Sequence, residues 1–371
     1  MQKMSLGQQA VSMIQTYHIP RLPLAQDLET KAVLKRLVSA KSALAHLKGI
    51  ALTIPNPEIL IDTLAIQEAQ ASSEIENIVT TQDDIYRGDL FPDQTTGPAK
   101  EVSRYRDALR LGLRRMQDNS GLLTNTTLIE MFRLLKDRDD GFRRIAGTAV
   151  VNQRTGERVH IPPQDEPEIL SHMGALERFI NDDQISDLDP VIKMAVIHHQ
   201  FESIHPFPDG NGRIGRILNV LYLTQQGLLD TPILYLSRHI NRTKTEYYSL
   251  LQAVRDEGRW EDWLIYMLYA VEDTARITVQ MVEAIREQMS DYKRRIRTAS
   301  PRIYSHDLLN NLFRHPYTRI EYMMADLGVS RPTATKYLDF LAKLELVEKH
   351  QVWRDNYYVN VPLMRTFQRF G

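Results

Sequence analysis

The 371-residue sequence contains no cysteine, and it has no long apolar run. Without thiols the chain forms no disulfide, carries no thiolate nucleophile and cannot build a sulfur-rich zinc site. No stretch approaches the ~20 apolar residues that a membrane-spanning helix needs, and Met1 to Ala25 lack a basic start followed by an apolar segment. We therefore expect a cytoplasmic protein whose metal ligands, if any, are oxygen or imidazole.

Excess charge is also lacking overall, because the net charge is −1. It is unevenly distributed, since residues 291–371 carry fourteen basic and eight acidic side chains, a local charge of +6. The length exceeds one ordinary core. We predict three parts: an N-terminal helical region over 1–97, a central catalytic core over 98–290 and a basic domain over 291–371.

Apolar residues recur at helical spacing through most of the chain, which predicts a mainly α fold. The predicted helical segments are Leu28–Leu47, Ile59–Ile66, Val102–Met116, Thr126–Leu135, Pro167–Ile180, Pro190–Ile197, Ile214–Leu223, Thr245–Val254 and Trp260–Met289. One segment departs from this period. Gly147 to Ile161 alternates β-branched residues around Asn152 to Gly156, which predicts a β-hairpin.

The segment from His205 to Arg216 reads His-Pro-Phe-Pro-Asp-Gly-Asn-Gly-Arg-Ile-Gly-Arg and joins two predicted helices. It places residues 209–212 at the N-terminus of the second helix, where unpaired N–H groups and the helix dipole attract anions. Gly210 and Gly212 let phosphate oxygens approach the backbone closely, and Asn211 offers a side-chain amide donor. This pattern predicts a phosphate site.

Charged and titratable residues in the same segment suit phosphoryl chemistry. Arg213 and Arg216 stand three residues apart, so both guanidinium groups can reach one polyphosphate. Asp209 supplies a carboxylate oxygen for Mg²⁺, and a neutral His205 can accept a proton from an attacking hydroxyl. The alternative is a helix N-terminus with a solvated charged face, which nine specified positions in one order disfavour.

The residues that follow His205 predict the shape of the loop. Pro206 restricts the preceding residue to extended conformations, so we expect an extended backbone at His205. Phe207 is predicted to anchor the loop in the core.

This segment resembles the signature of the Fic family, His-Pro-Phe-x-Asp/Glu-Gly-Asn-Gly-Arg-x-x-Arg, and matches every specified position. The resemblance extends from about Lys31 to Met267. It implies a Fic-type helical core that transfers AMP from ATP to a Ser, Thr or Tyr hydroxyl of a target protein. The enzyme itself is expected to be one such target, and a homodimer stays open. The implied roles are His205 as general base, Asp209 as Mg²⁺ ligand, Gly210, Asn211 and Gly212 as anion hole, and Arg213 and Arg216 as triphosphate clamps. Gly212 favours nucleotidyl transfer, since relatives such as Doc toxins that transfer phosphate carry Lys there.

The resemblance also assigns a flap, an inhibitory segment and nucleotide contacts. It makes the hairpin a flap that docks the target as an added strand, with Arg158, Val159 and His160 nearest the nucleotide. By position, Tyr248 and Arg255 are candidates to contact adenine. Upstream, Ser72, Glu76 and Asn77 match the inhibitory motif Ser/Thr-x-x-x-Glu-Gly/Asn. Glu76 would then pair with Arg216 and withhold it from the γ-phosphate, whereas from the residues alone it reads as a solvated helix charge or half of a local salt bridge.

The basic C-terminal part resembles a winged helix-turn-helix domain. Helical segments at 308–313, 320–327 and 331–344 precede two strand-like segments, and Gly328 permits the sharp turn between the second and third helices. The recognition helix would present Arg331, Thr333, Thr335 and Lys336, with a wing over 351–356. DNA binding through 301–371 and protein contact both remain open, and protein contact is slightly favoured because the charge is modest.

Two other functions fit the same residues. One is a DNA-binding regulator whose Fic-like body senses a nucleotide without turnover, which the intact His205 disfavours. The other is a Fic enzyme that transfers UMP, GMP or phosphocholine, because the residues that bind the phosphates do not distinguish one nucleotide base from another. Removal of AMP by the same site also stays open.

Overall fold

The fold comes from a computed structural model that describes residues 17–151, 156, 158–352 and 355–370. The predicted mainly helical fold is confirmed. The helices of the described part are α1 (Lys31–Ala51), α2 (Pro57–Ile75), α3 (Gln82–Leu90), α4 (Gly97–Asp118), α5 (Asn125–Lys136), α6 (Glu166–Asn181), α7 (Pro190–Ile204), α8 (Asn211–Gln225), α9 (Ser237–Arg242), α10 (Lys244–Glu257), α11 (Trp260–Ala299), α12 (His306–Arg314), α13 (Ile320–Leu327), α14 (Arg331–Lys343) and α15 (Val361–Phe370). The strands are β1 (Val150–Val151), β2 (Arg158–His160), β3 (Tyr317–Arg319), β4 (Glu348–Val352) and β5 (Asp355–Val359).

Many helices begin at side chains that cap their first N–H groups. Four threonines accept hydrogen bonds from the first turns of α1, α3, α4 and α5: Thr30, Thr81, Thr96 and Thr124. Asp189 accepts from Val191 N at the start of α7, and Pro190 fills the first helical position. Both choices satisfy or remove N–H groups that the helix cannot pair. Helix α7 begins at the predicted residue and α5 one residue earlier, whereas α1 and α4 begin three and five residues from the predicted starts and α3 was not predicted.

Helix α7 lies at the centre of the molecule and is buried from Val191 to Ile204. It packs against α8, α11 and α6, and α1 runs along α11. A helix that is apolar on nearly all sides is stable only when other helices surround it. The α7–α8 pair is therefore a rigid support for the loop between them, residues 205–210.

The predicted hairpin is present in its described strands. β1 and β2 pair antiparallel, with Val150 opposite His160 and Val151 opposite Arg158. Its predicted turn, residues 152–156, lies outside the described residues except Gly156. The strands are shorter than the predicted segment.

The C-terminal part contains the predicted three helices and a β-hairpin, with β3 added to make a sheet of order β3-β5-β4. The predicted wing forms the ends of β4 and β5, where Gln351 pairs with Asn356, and residues 353–354 lie outside the described part. Helix α11 continues to Ala299, so the predicted division at 290/291 falls inside it. No helix in the described part is both long and apolar enough to cross a bilayer.

The C-terminal part packs against the N-terminal helices through polar contacts. Arg314 Nε donates to Asp62 Oδ2 of α2 at 2.8 Å. The Tyr317 hydroxyl donates to Asp83 of α3 at 2.6 Å, and Arg319 Nη1 donates to the Leu90 carbonyl at 2.9 Å. These contacts join the C-terminal part to α3 and, through Arg314, to α2, the helix that carries Ser72.

Candidate active site

The loop between α7 and α8 begins with a left-handed residue. His205 has φ 49° and ψ 57°, and its N–H donates to the Phe201 carbonyl at 2.9 Å. The expectation of an extended backbone at His205 was therefore wrong. His205 caps the C-terminus of α7, and closing that helix outweighs the preference for extended backbone before proline.

Phe207 anchors the loop as predicted. Its ring is fully buried and stacks on Phe132 with centroids 4.4 Å apart. Asn211 closes the loop. Its Oδ1 accepts from Phe207 N and its Nδ2 donates to the Phe207 carbonyl, both at 2.8 Å. Because Nδ2 carries a second N–H, the role of the Asn211 amide as a phosphate donor stays a prediction.

Helix α8 starts directly after Gly210, whose φ of 74° is a left-handed value that glycine adopts without strain. The side chains of Leu135 and Lys136 lie against this glycine. The first N–H groups of α8, from Asn211 to Arg213, have no partner within the helix. The loop therefore presents main-chain donors and a positive helix end, as the phosphate-site prediction requires.

His205 is held neutral. Burial, together with the nearby charges of Arg143 and Arg255, lowers the pKa of the His205 imidazole to about 4, against the opposing effects of the Glu202 carbonyl and Glu76. An imidazole with this pKa is unprotonated at pH 7 and can accept a proton. Its Nδ1 is buried without a hydrogen-bond partner.

Arg216 is bound to the segment predicted to be inhibitory. Its Nε donates to Ser72 Oγ at 2.8 Å, and its Nη2 donates to the Ser72 carbonyl at 3.0 Å and to Glu76 Oε1 at 2.8 Å. Burial lowers the pKa of Arg216, but the charge and hydrogen bond of Glu76, with Tyr247 and Tyr105, together outweigh it and the net shift is upward. Asn77 follows in a left-handed conformation with φ 60°, which ends the segment.

Gly212 makes room for this ion pair. A methyl group at Gly212 would lie 2.5 Å from Glu76 Oε1 and 2.9 Å from Arg216 Nη1. Both distances are shorter than any ordinary contact, so a side chain here would push the pair apart.

Arg213 and Asp209 belong to a second set of ion pairs, which the sequence did not reveal. Arg213 Nη1 lies 2.6 Å from Glu101 Oε2 of α4. Lys136 Nζ lies 3.8 Å from the same oxygen and 2.6 Å from Asp209 Oδ2. Although burial raises the pKa of Asp209, the bond and charge of Lys136 and the Gly210 amide hold it below its ordinary value.

The flap residues differ in exposure. Arg158 is exposed, Val159 is half-buried and His160 is buried. The His160 Nε2 lies 2.8 Å from the Ser203 carbonyl, and burial together with Arg255 lowers its pKa to about 3. The hairpin is therefore attached to the end of α7 at Ser203, two residues before His205.

The two adenine candidates occupy different surroundings. The Tyr248 side chain is 43% exposed and its ring meets Tyr247 edge-on. Arg255 Nε donates to Ser203 Oγ at 3.1 Å, and burial lowers the pKa of Arg255 despite the opposing charge of Glu202. The structure thus brings Arg255 beside His160 and His205, and leaves Tyr248 at the surface.

Three models of known protein families match the chain. The model described as Fic/DOC family, N-terminal, matches residues 34–114, and the model described as Fic/DOC family matches residues 122–223. The C-terminal domain of protein adenylyltransferase SoFic-like proteins matches residues 288–363. The three matches cover the N-terminal helices, the His205 loop and the C-terminal part.

Curated relatives match shorter segments. A probable protein adenylyltransferase of Aquifex aeolicus is 41% identical over 69 residues, 19% of each chain. The protein adenylyltransferase Fic of Drosophila erecta is 31% identical over 115 residues, 31% of this chain and 22% of the relative. The matched segments thus span about a fifth of each relative's length.

Solved structures share the fold. A Fic family protein from Desulfovibrio desulfuricans G20 has a TM-score of 0.57 at 21% identity and covers 89% of this chain and 96% of its own. Fic-1 from C. elegans has a TM-score of 0.52 at 19% identity and covers 68% of this chain and 73% of its own. At these identities the likeness shows the fold alone.

Proposed function

This chain belongs to the Fic/DOC family, and from that premise we propose that it is a protein adenylyltransferase. It transfers AMP from ATP to a Ser, Thr or Tyr hydroxyl of a protein, including its own hydroxyls, and releases pyrophosphate. The observation that carries this proposal is the loop before α8, where a neutral His205 stands beside main-chain donors at a helix N-terminus.

The chemistry follows from these positions. The target hydroxyl oxygen attacks the α-phosphorus of ATP, and its proton passes to His205. A new P–O bond forms while the bond from the α-phosphorus to the bridging oxygen breaks, and pyrophosphate leaves with that electron pair. The first amides of α8 and the Arg213 guanidinium stabilise the negative charge on the phosphate oxygens, because they are positioned before the reaction begins.

Asp209 fits the Mg²⁺ ion that such a reaction uses. Its side chain is 59% exposed; Lys136 Nζ lies 2.6 Å from Oδ2 and the Gly210 N–H donates to Oδ1 at 2.6 Å, so each oxygen keeps a lone pair for a metal. No group of three or more acidic or histidine residues in the described part could hold a metal without help. Mg²⁺ commonly binds one or two carboxylates together with substrate phosphates, so Asp209 can hold it alongside ATP. When bound, the ion neutralises charge on the phosphates.

We propose that Ser72 and Glu76 restrain the enzyme by holding Arg216. A guanidinium that donates three hydrogen bonds to α2 and Glu76 cannot at the same time grip the γ-phosphate. A charge-assisted contact of this kind is strong, and ATP alone must compete with it. The isolated protein is therefore weakly active.

The hairpin supports a protein as the acceptor. β1 and β2 form a sheet of two short strands beside the end of α7, and Val151 is 46% exposed. An extended target segment can add to such a hairpin through main-chain hydrogen bonds, which tolerates varied sequence and delivers a hydroxyl to His205.

The test is labelling of the purified Glu76→Gly protein with Mg²⁺ and a mixture of nucleotides, read by mass spectrometry. We expect self-modification with AMP to rise about 10- to 100-fold over the wild type, because a hydrogen bond to a charged group contributes ~1.5–3 kcal/mol. The same substitution combined with His205→Ala should remove the labelling.

The matched control is Glu74→Gln. Glu74 lies on the same helix and accepts from Asn241 Nδ2 at 2.8 Å, without contact to Arg216. Equal labelling of Glu76→Gly and the wild type would contradict the restraint. Labelling that survives His205→Ala, or a transferred group other than AMP, would contradict the proposed reaction.

A further inference from the structure

Arg143 lies between α5 and β1 and is 4% exposed, so it is a buried cation behind the loop. Its hydrogen bonds go to main-chain oxygens. Nε donates to the His205 carbonyl at 2.7 Å, and Nη2 donates to the Ile204 carbonyl at 3.2 Å. The N–H of Arg143 donates to the Pro206 carbonyl at 2.8 Å. One residue therefore binds three consecutive carbonyls at the end of α7.

These carbonyls flank the residue whose backbone most needs support. His205 is not glycine, yet it adopts a left-handed conformation that such residues rarely take. A catalytic imidazole is commonly aimed by a hydrogen bond on its second nitrogen, but Nδ1 of His205 makes no hydrogen bond of ordinary geometry, and the Glu202 carbonyl that acts on the ring belongs to the last turn of α7. The direction of the ring thus depends on the backbone that carries it.

We propose that Arg143 is a positioning residue for His205: its guanidinium fixes the left-handed backbone of His205 and so aims the ring at the target hydroxyl. This inference rests on the proposed function. It assigns Arg143 no contact with ATP or target, because the residue is buried behind the loop and its Nε and Nη2 bind loop carbonyls. A cation suits this place, since the carbonyls at a helix C-terminus carry partial negative charge.

The same guanidinium acts on the charge of the ring. Three other titratable or charged side chains influence the His205 ring or are influenced by it, Arg255, Glu76 and His160, and the main-chain carbonyl of Glu202 acts on it as well. Arg143 is the largest single charge that lowers the pKa of His205, after burial. Removing it should raise that pKa toward 6.5, the ordinary value for histidine.

The experiment measures AMP transfer in the Glu76→Gly background, with Arg143→Met and Arg143→Lys added. A displaced general base costs turnover rather than ATP binding, so we expect kcat to fall about 100-fold in Arg143→Met with KM for ATP unchanged within about threefold. Arg143→Lys should be intermediate. Added guanidinium ion should partly restore Arg143→Met, and the acid limb of its pH profile should move to higher pH.

Arg144→Met is the matched control. Arg144 is the next residue, its side chain is 78% exposed, and it pairs with Glu166 at 3.0 Å away from the loop. We expect this variant to keep the parent's kcat and pH profile. A kcat for Arg143→Met within twofold of its parent would overturn the proposal, and so would an equal loss of kcat and ATP affinity without rescue by guanidinium.

A titration of the His205 ring by NMR separates this proposal from the proposed function. If the Glu76→Gly parent transfers no nucleotide, the proposed function fails, and the titration still decides the present proposal. A pKa of His205 that rises in Arg143→Met and stays in Arg144→Met supports positioning by Arg143. Identical titration in both variants overturns it.

Discussion

Glu202 is a buried carboxyl that the sequence did not single out. It lies on α7, and its Oε1 is buried without a hydrogen-bond partner. Burial raises the pKa of Glu202 to about 7; the charges of Arg216 and Arg255 oppose this rise, and Glu76 adds to it. The folded protein thus favours the neutral carboxyl over a range in which the unfolded chain ionises it.

This sets the direction of a pH dependence. From pH ~4.5 to ~7 the folded state binds a proton at Glu202 that the unfolded state has lost, so its contribution to stability falls as the pH rises. Glu202→Gln cannot ionise. We expect the free energy of unfolding of Glu202→Gln, relative to that of the wild type, to increase by about 1–3 kcal/mol from pH 5 to pH 8, measured by urea denaturation.

Glu287→Gln provides the comparison, since Glu287 is an exposed glutamate on α11. Its stability relative to the wild type should not vary over the same pH range. A constant difference between Glu202→Gln and the wild type would show that Glu202 is ionised in the folded protein.

At the residue scale, local chemistry could be predicted and long-range partners could not. His205, Gly210 and Phe207 are defined by their own side chains and their place between two helices. Glu101 pairs with Arg213 from 112 positions away in the chain, and no local pattern indicates that contact. The hydrogen bonds of Asn211 to Phe207 were not predicted either, because an amide that can bind phosphate can equally bind a nearby main-chain group.

At the scale of the element, α14 has the position of a recognition helix, but its polar groups are engaged locally. Arg331 Nη1 donates to Glu321 Oε1 at 2.8 Å, and Thr335 Oγ1 donates to the Arg331 carbonyl at 2.9 Å. On β4, Lys349 pairs with Asp339 at 2.8 Å. Acids close to these bases reduce the positive field that non-specific DNA binding requires.

We therefore expect no retardation of duplex DNA by the full-length protein at low salt, where phosphate contacts are strongest. An electrophoretic mobility-shift titration from low to physiological salt measures this. A retarded complex that dissociates as the salt concentration rises would contradict this expectation and favour the alternative function, a DNA-binding regulator.

Strong periodicity predicted α7, α8 and α11, because each buries a wide apolar face. β3 was missed, since three residues between α12 and α13 are too few to show an alternation. The final helix α15 was also missed: it follows directly after β5, and its apolar residues could equally extend a strand. Tertiary packing against α11 decides the outcome there.

At the scale of the whole molecule, α2 connects the C-terminal part with Arg216. Its first half contacts the C-terminal part through Asp62 and Arg314, and its last turn holds Arg216 through Ser72. Glu68, between these ends, accepts from the Ser237 N–H at 3.1 Å and from the Tyr105 hydroxyl at 3.0 Å. The helix is thus fixed along its length, and its contacts with the C-terminal part help to place the inhibitory segment.

Loosening that attachment should weaken the restraint. We expect Arg314→Met combined with Tyr317→Phe to raise self-modification of the otherwise wild-type protein about 2- to 10-fold, because residues between coupled sites can contribute ~0.5–2 kcal/mol. Labelling with ATP measures this. In the Glu76→Gly background the two substitutions should leave self-modification unchanged. An equal rise of self-modification in both backgrounds would contradict the coupling.

Because position 212 is a glycine, the sequence of this protein is constrained in how it can diverge during evolution. The position lies in the first turn of α8, whose N–H groups we propose to bind the phosphates, and it is also the space into which Glu76 and Arg216 fit. Selection on the transferred group and selection on restraint therefore act on one residue. A mutation to any larger residue would alter both properties together, so a descendant could not acquire new transfer chemistry here and retain the inherited ion pair in its present geometry.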